Sequence, residues 1–80
     1  MAELSIHVVF MGPVKRPVDG NEMTVTLEQS ATISDLLASL GYIPTQARHL
    51  GVFRDGHRMP HTTLLVDGES ITVALAVGGG

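Results

Sequence analysis

Residues 70–80 read SITVALAVGGG, an alternating apolar stretch that leads directly into three glycines. Every second residue from Ile71 to Val77 is a branched aliphatic, and the residues between them are threonine or alanine. This alternation predicts a β-strand with two fairly apolar faces, which is typical of an interior strand. We therefore expect one domain over residues 1–77, with a flexible glycine tail at Gly78, Gly79 and Gly80.

Two alternating stretches near the N-terminus predict a hairpin. In residues 4–10 every second side chain is large and apolar, and residues 22–28 repeat the same pattern. The segment between them contains Gly12-Pro13 and Pro17, which favour turns and end regular structure. Residues 11–21 are therefore predicted to be a loop between two neighbouring strands.

The apolar period then changes to that of a helix. Thr32 is a predicted N-cap, and Asp35 three residues later completes a capping-box pattern. Gly41 is suited to end the helix, and Pro44 is expected to prevent its continuation. The predicted helix is amphipathic and covers one face of the sheet. Its apolar stripe consists of Ile33, Leu36, Leu37 and Leu40.

The remaining stretches complete the fold class. Residues 50–54 predict a short strand that turns at Asp55-Gly56, and Asp67-Gly68 predicts the turn before the last strand. Residues 61–65 are weakly apolar and fit either a short strand or a single helical turn. The order β-β-α-β-(β)-β predicts an α+β domain, in which a mixed sheet of four to five strands is packed by one main helix.

Composition limits the function classes. The 80 residues include no cysteine, which excludes a disulfide, a thiolate metal site and a cysteine nucleophile. The net charge is −3, and five basic and three aromatic residues are spread along the chain, which argues against a nucleic-acid surface. No apolar run approaches a membrane span and no secretory signal is evident, so we expect a cytoplasmic protein.

The order of elements and the glycine tail resemble the ubiquitin-like β-grasp superfamily. Within it, residues 63–73 and 76–80 are similar to the last turn, last strand and tail of the sulfur carriers ThiS and MoaD. Residues 52–56 resemble the hairpin that precedes this last turn in the same carriers. Residues 10–12 and the loop after them look like the longer first hairpin of the MoaD type, whereas the tail is closer to the ThiS type. The resemblance therefore leaves the branch open.

This resemblance implies a carrier without its own active site, bound cofactor or metal. An adenylyltransferase of the ThiF or MoeB type would use ATP to adenylate the carboxylate of Gly80. A sulfur donor would then displace AMP and leave a thiocarboxylate. The sulfur would pass to an acceptor enzyme, either thiazole synthase or the large subunit of molybdopterin synthase. Gly79 and Gly78 would give the tail access to a narrow channel.

Two other functions remain open. A ubiquitin-like modifier would use the same activation to bind lysines of other proteins. The uncharged segment before the tail and the single lysine, Lys15, argue against a modifier that forms branched chains, but not against single attachment. The third possibility is an interaction module in which the tail has no role.

Polar residues outside the tail have plainer interpretations. His57 and His61 are four residues apart, as metal ligands on a helix would be, but Pro60 between them favours ordinary loop histidines. Arg54 and Arg58 near Asp55 are predicted to belong to a solvated hairpin. Asp67 and Glu69 are candidates for docking on a basic partner, although the Asp67-Gly68 turn by itself accounts for the aspartate.

Overall fold

The computed structural model describes residues 3–12 and 20–75. Within them lies one mixed sheet of five strands in the order β2-β1-β5-β3-β4, together with two helices. This confirms the predicted α+β class. The strands are β1 (Glu3–Met11), β2 (Glu22–Glu28), β3 (Leu50–Arg54), β4 (His57–Arg58) and β5 (Ser70–Leu75), and the helices are α1 (Ile33–Ser39) and α2 (Pro44–Ala47).

Strand β5 is the centre of the sheet, as its apolar faces predicted. It pairs in parallel with β1 and antiparallel with β3, and Ile71 and Val73 are fully buried. The predicted hairpin is confirmed as the antiparallel pair β1–β2, whose register places Ile6 opposite Val25. The sheet therefore consists of two hairpins joined by the last strand.

Helix α1 begins with the predicted capping box. The Thr32 backbone N–H donates to Asp35 Oδ2 over 2.9 Å, and the Asp35 N–H donates to Thr32 Oγ1 over 3.2 Å. Gly41 follows the C-cap residue Leu40 with a positive φ of 95°, a conformation that favours glycine.

The apolar stripe of α1 packs against the inner face of β1, β5 and β3. The described part of the chain contains no buried polar or charged residue. The buried core consists of Leu4, Ile6, Val8, Phe10, Val25, Ala31, Ile33, Leu36, Leu37, Leu40, Tyr42, Leu50, Val52, Leu65, Ile71 and Val73.

The first helix ends before Pro44, as predicted, and Pro44 also occupies the first turn of α2, where proline lacks only an N–H that a helix leaves unused. The prediction for residues 61–65 was wrong. The fifth strand is β4 at residues 57–58, directly after the Asp55-Gly56 turn. Residues 61–65 form a turn and one isolated bridge between Leu64 and Thr32. None of the helices in the described ranges is both long and apolar enough to cross a membrane.

Candidate functional site

The root of the glycine tail is the end of the central strand. Strand β5 ends at Leu75, which lies opposite Leu50 of β3, while Ala74 lies opposite Met11 of β1. Strand β5 is therefore paired on both sides as far as Ala74, and on the β3 side as far as Leu75, its last described residue. The predicted site residues Gly78, Gly79 and Gly80 lie outside the described residues.

The two carboxylates predicted for docking lie at the other end of β5. Asp67 and Glu69 precede Ser70, where the strand begins, whereas the tail follows Leu75. Six residues that rise about 3.3 Å each separate these ends by roughly 17–20 Å. A partner that contacts both these carboxylates and the tail would thus have to cover the whole length of β5.

Glu69 is bound within the chain. Its Oε1 accepts a hydrogen bond from Arg54 Nε over 2.6 Å, and its Oε2 accepts from Arg54 Nη2 over 2.9 Å. The Val66 backbone N–H also donates to Oε2, and only 12% of the Glu69 side chain is exposed. The hydrogen bond with Glu69 is the main cause that raises the pKa of Arg54. The expectation of a solvated hairpin was therefore wrong for Arg54, because its guanidinium holds the loop before β5.

Asp67 is exposed, and its carboxylate also has a partner in the chain. Its Oδ1 accepts a hydrogen bond from the Ser5 backbone N–H over 2.8 Å, and the Gly68 N–H donates to the Ser5 carbonyl over 2.8 Å. The Asp67-Gly68 turn is thereby attached to β1. Docking at Asp67 and Glu69 stays a prediction, and the contacts of both residues within the chain give them a structural role.

The histidines at 57 and 61 occupy separate structural positions. His57 is exposed in β4 opposite Arg54, whereas His61 Nε2 lies within hydrogen-bond distance, 3.1 Å, of the Leu50 carbonyl oxygen. Over residues 3–12 and 20–75, no group of three histidine or acidic side chains is arranged to hold a metal ion.

The outer face of the sheet, opposite α1, carries a feature that the sequence interpretation missed. A shallow depression of about 360 Å³ on β1, β5 and β3 is lined by Met11, Phe53, Gly56, Thr72 and Ala74, which we call the outer patch. Met11 is 57% exposed and lies beside Ala74, one residue before the last described residue of β5. The alternation of β5 contained the signal, because it gives the strand a second apolar face, which neither of the two described helices covers.

Comparisons with solved structures identify the architecture. The HVO 2177 protein of Haloferax volcanii matches over 98% of this chain and 88% of its own, with a TM-score of 0.75 and 20% identity. Small archaeal modifier protein 1 of H. volcanii matches over 92% and 99%, with a TM-score of 0.73 and 17% identity. The chain has the ubiquitin-like β-grasp fold.

A chain from the complex of subunits 1 and 2 of the Helicobacter pylori molybdopterin-converting factor has the same β-grasp architecture. It matches over 96% of this chain and 100% of its own, with a TM-score of 0.61 and 20% identity. No family model and no curated protein matches the sequence. The predicted β-grasp fold is thus confirmed by shape at low sequence identity.

Proposed function

We propose that this chain is a ubiquitin-like carrier that is activated at the carboxylate of Gly80. The observation that carries the proposal is the position of β5, which is hydrogen-bonded on both sides and ends at Leu75, just before the glycine-rich stretch. A central strand gives residues 76–80 a fixed point of departure. Fully extended, five residues span at most about 17 Å, which is enough to reach into an active site of a partner.

The proposed chemistry needs no reactive side chain on the carrier. A carboxylate oxygen of Gly80 attacks the α-phosphorus of ATP on an adenylyltransferase of the ThiF or MoeB type, and pyrophosphate leaves. Hydrosulfide from a sulfur donor then attacks the acyl carbon, and AMP leaves with the bonding electrons of the C–O bond. The product is a thiocarboxylate, whose sulfur is the nucleophile for the next transfer. Gly79 and Gly78 provide the slender backbone that a narrow channel requires.

The outer patch is the surface on which we expect the activating enzyme to bind. It is apolar and exposed, and it lies next to the root of the tail. The H. pylori chain belongs to a two-subunit complex, which is the precedent for an association with a synthase subunit. The acceptor proposed for this chain is accordingly thiazole synthase or a molybdopterin synthase large subunit.

Intact-mass measurement tests the chemistry. The protein with Gly80 as its terminal residue is incubated with an activating enzyme, ATP and sulfide, and should gain the mass difference between sulfur and oxygen. Gly79→Ala should slow this conversion, whereas Gly20→Ala should not, because Gly20 is exposed and a Cβ there meets no atom within 4 Å. Full conversion of a chain that lacks Gly80 would contradict the proposal.

A pair of lysine substitutions tests the binding surface. Met11→Lys places a charge in the outer patch and should raise the KM of the activating enzyme for the carrier. Leu64→Lys is the matched control, since Leu64 is 58% exposed and lies outside the outer patch. An equal effect of both substitutions would exclude the outer patch as the binding surface.

Attachment to proteins is the second candidate, favoured by the likeness to small archaeal modifier protein 1. Here a lysine amine attacks the same acyl adenylate, an amide forms and AMP leaves. Arg58 is the last lysine or arginine of the sequence, so trypsin would leave residues 59–80 on the modified lysine. A Val77→Arg variant would shorten this remnant to three glycines, which peptide mass spectrometry detects readily. Such remnants on other proteins would favour the modifier, and their absence alongside thiocarboxylate would favour the carrier.

A further inference from the structure

Strand β2 is an open edge of the sheet. Its seven residues pair with β1 on one side, and no described residue pairs with them on the other. The Phe10 N–H donates to the Asn21 carbonyl, and the register then directs the backbone groups of Met23, Val25 and Leu27 toward β1. The backbone N–H and C=O groups of Thr24 and Thr26 consequently point away from the sheet.

The side chains of β2 define what this edge can accept. On the outer face Thr24 and Thr26 lie between two exposed glutamates, Glu22 and Glu28. On the inner face Met23 and Leu27 are half-buried and pack against the core. An added strand would therefore need apolar residues on one face and, on the other, positive charges about six residues apart.

Among residues 3–12 and 20–75, Glu28 forms no ion pair. Glu28 lies directly opposite Glu3 in the β1–β2 register, and both residues are exposed. Like charges at opposite positions of an antiparallel pair destabilise it. At the other end, Glu22 Oε1 lies 2.9 Å from His7 Nε2, so its position is fixed by a neighbour on the same face.

The same charges disfavour a second copy of this chain. Two β2 strands paired antiparallel about Val25 would place Glu22 of each copy opposite Glu28 of the other. Such charged residues protect edge strands against self-association. We propose that β2 binds an extended, basic segment of a partner protein, which adds a sixth strand to the sheet. Strand β1 separates β2 from β5, after which the tail follows in the sequence, so this contact is independent of the chemistry at Gly80.

A designed peptide tests the proposal. The probe is a nine-residue peptide that alternates valine with threonine on its two faces and carries a lysine near each end, six residues apart on the threonine face. In an NMR titration of the labelled protein, the largest amide shifts should fall on Thr24, Thr26 and Glu28, and hydrogen exchange at Thr24 and Thr26 should slow. Shifts concentrated on Phe53 and Thr72 would overturn the proposal.

Variants of the protein and of the peptide distinguish strand addition from non-specific electrostatic attraction. Glu28→Lys should weaken binding by about fivefold, and a peptide in which glutamate replaces only the lysine opposite residue 28 should regain that loss. A Ser39→Lys/Thr45→Lys variant makes the same change in net charge on exposed helical positions and should bind as the original protein does. A peptide N-methylated at alternate residues cannot form the edge hydrogen bonds and should not bind. Undiminished binding of that peptide, or dimerisation of the protein through β2 in sedimentation, would contradict the proposal.

Discussion

Arg54 binds Glu69 through two parallel hydrogen bonds, from Nε to Oε1 and from Nη2 to Oε2, although the residues are 15 positions apart. The same guanidinium donates to the Leu64 carbonyl over 2.9 Å. Glu69 in turn accepts from the Val66 N–H. The loop over residues 64–69 is therefore attached to β3 at the point where the chain enters the central strand.

Removal of this contact should destabilise the fold. We expect Glu69→Ala to lower the free energy of unfolding by about 2 kcal/mol, because Arg54 loses the charged, partly buried carboxylate to which it donates two hydrogen bonds. Urea denaturation measures the change. Arg54→Lys should recover only part of the contact, since an ammonium cannot form the fork. Arg58→Ala is the control, because Arg58 is exposed in β4, and an equal loss there would contradict this account.

The capping box of α1 gives a second prediction. Thr32→Ala removes the acceptor of the Asp35 N–H and should cost about 1 kcal/mol. Thr32→Ser keeps a hydroxyl and should lose much less. Ser34→Ala changes an exposed residue of the same helix and serves as the control. Urea denaturation of the three variants measures these changes. Equal urea midpoints for Thr32→Ala and Ser34→Ala would disprove the capping role.

Two leucines with opposite exposure test the core. Leu37 is fully buried, and Leu37→Ala should cost about 2–5 kcal/mol, a large part of the stability of a small domain. Leu64 is 58% exposed, and Leu64→Ala should change stability by about 0.5 kcal/mol at most. Thermal unfolding followed by circular dichroism should separate the two variants clearly. Similar melting temperatures would show that α1 is not packed as described.

Gly51 lies beside the ring of Phe53, which belongs to β3 and to the outer patch. A Cβ at Gly51 would lie 3.1 Å from Cε1 of the Phe53 ring, which is closer than the ring can accept without moving. Gly51→Ala should therefore displace the ring by a few tenths of an ångström, and the cost of this shift opposes the gain from replacing glycine within a strand. In a Phe53→Leu background the same substitution should cost less, because the opposing aromatic atoms are absent. Equal costs in both backgrounds would exclude the ring as the cause.

Much of the fold was predictable because its signals are local. Apolar side chains alternate in residues 4–10 and 22–28, and they recur every 3.6 residues in α1. In each case this period indicates which face of the strand or helix is buried, and it correctly predicted the type of element. The Thr32–Asp35 capping box was predictable for the same reason, since both partners lie within one turn. The central position of β5 followed from its two apolar faces.

The errors involve features that depend on distant partners. The role of Arg54 depends on Glu69, which reaches it only once the loop before β5 has folded back. The outer patch combines Met11, Phe53 and Ala74 from three strands, so no single stretch of sequence displays it.

The central position of β5 has a consequence for synthesis on the ribosome. A nascent chain that has emerged only as far as residue 69 has both hairpins but lacks the strand that joins them. Neither hairpin alone buries the apolar face that β5 covers, and two-stranded hairpins are at best marginally stable in water. The sheet can close only after Ser70–Leu75 has left the exit tunnel. Closure of the sheet therefore waits for the strand that is both the last of the five to be made and the central one in space.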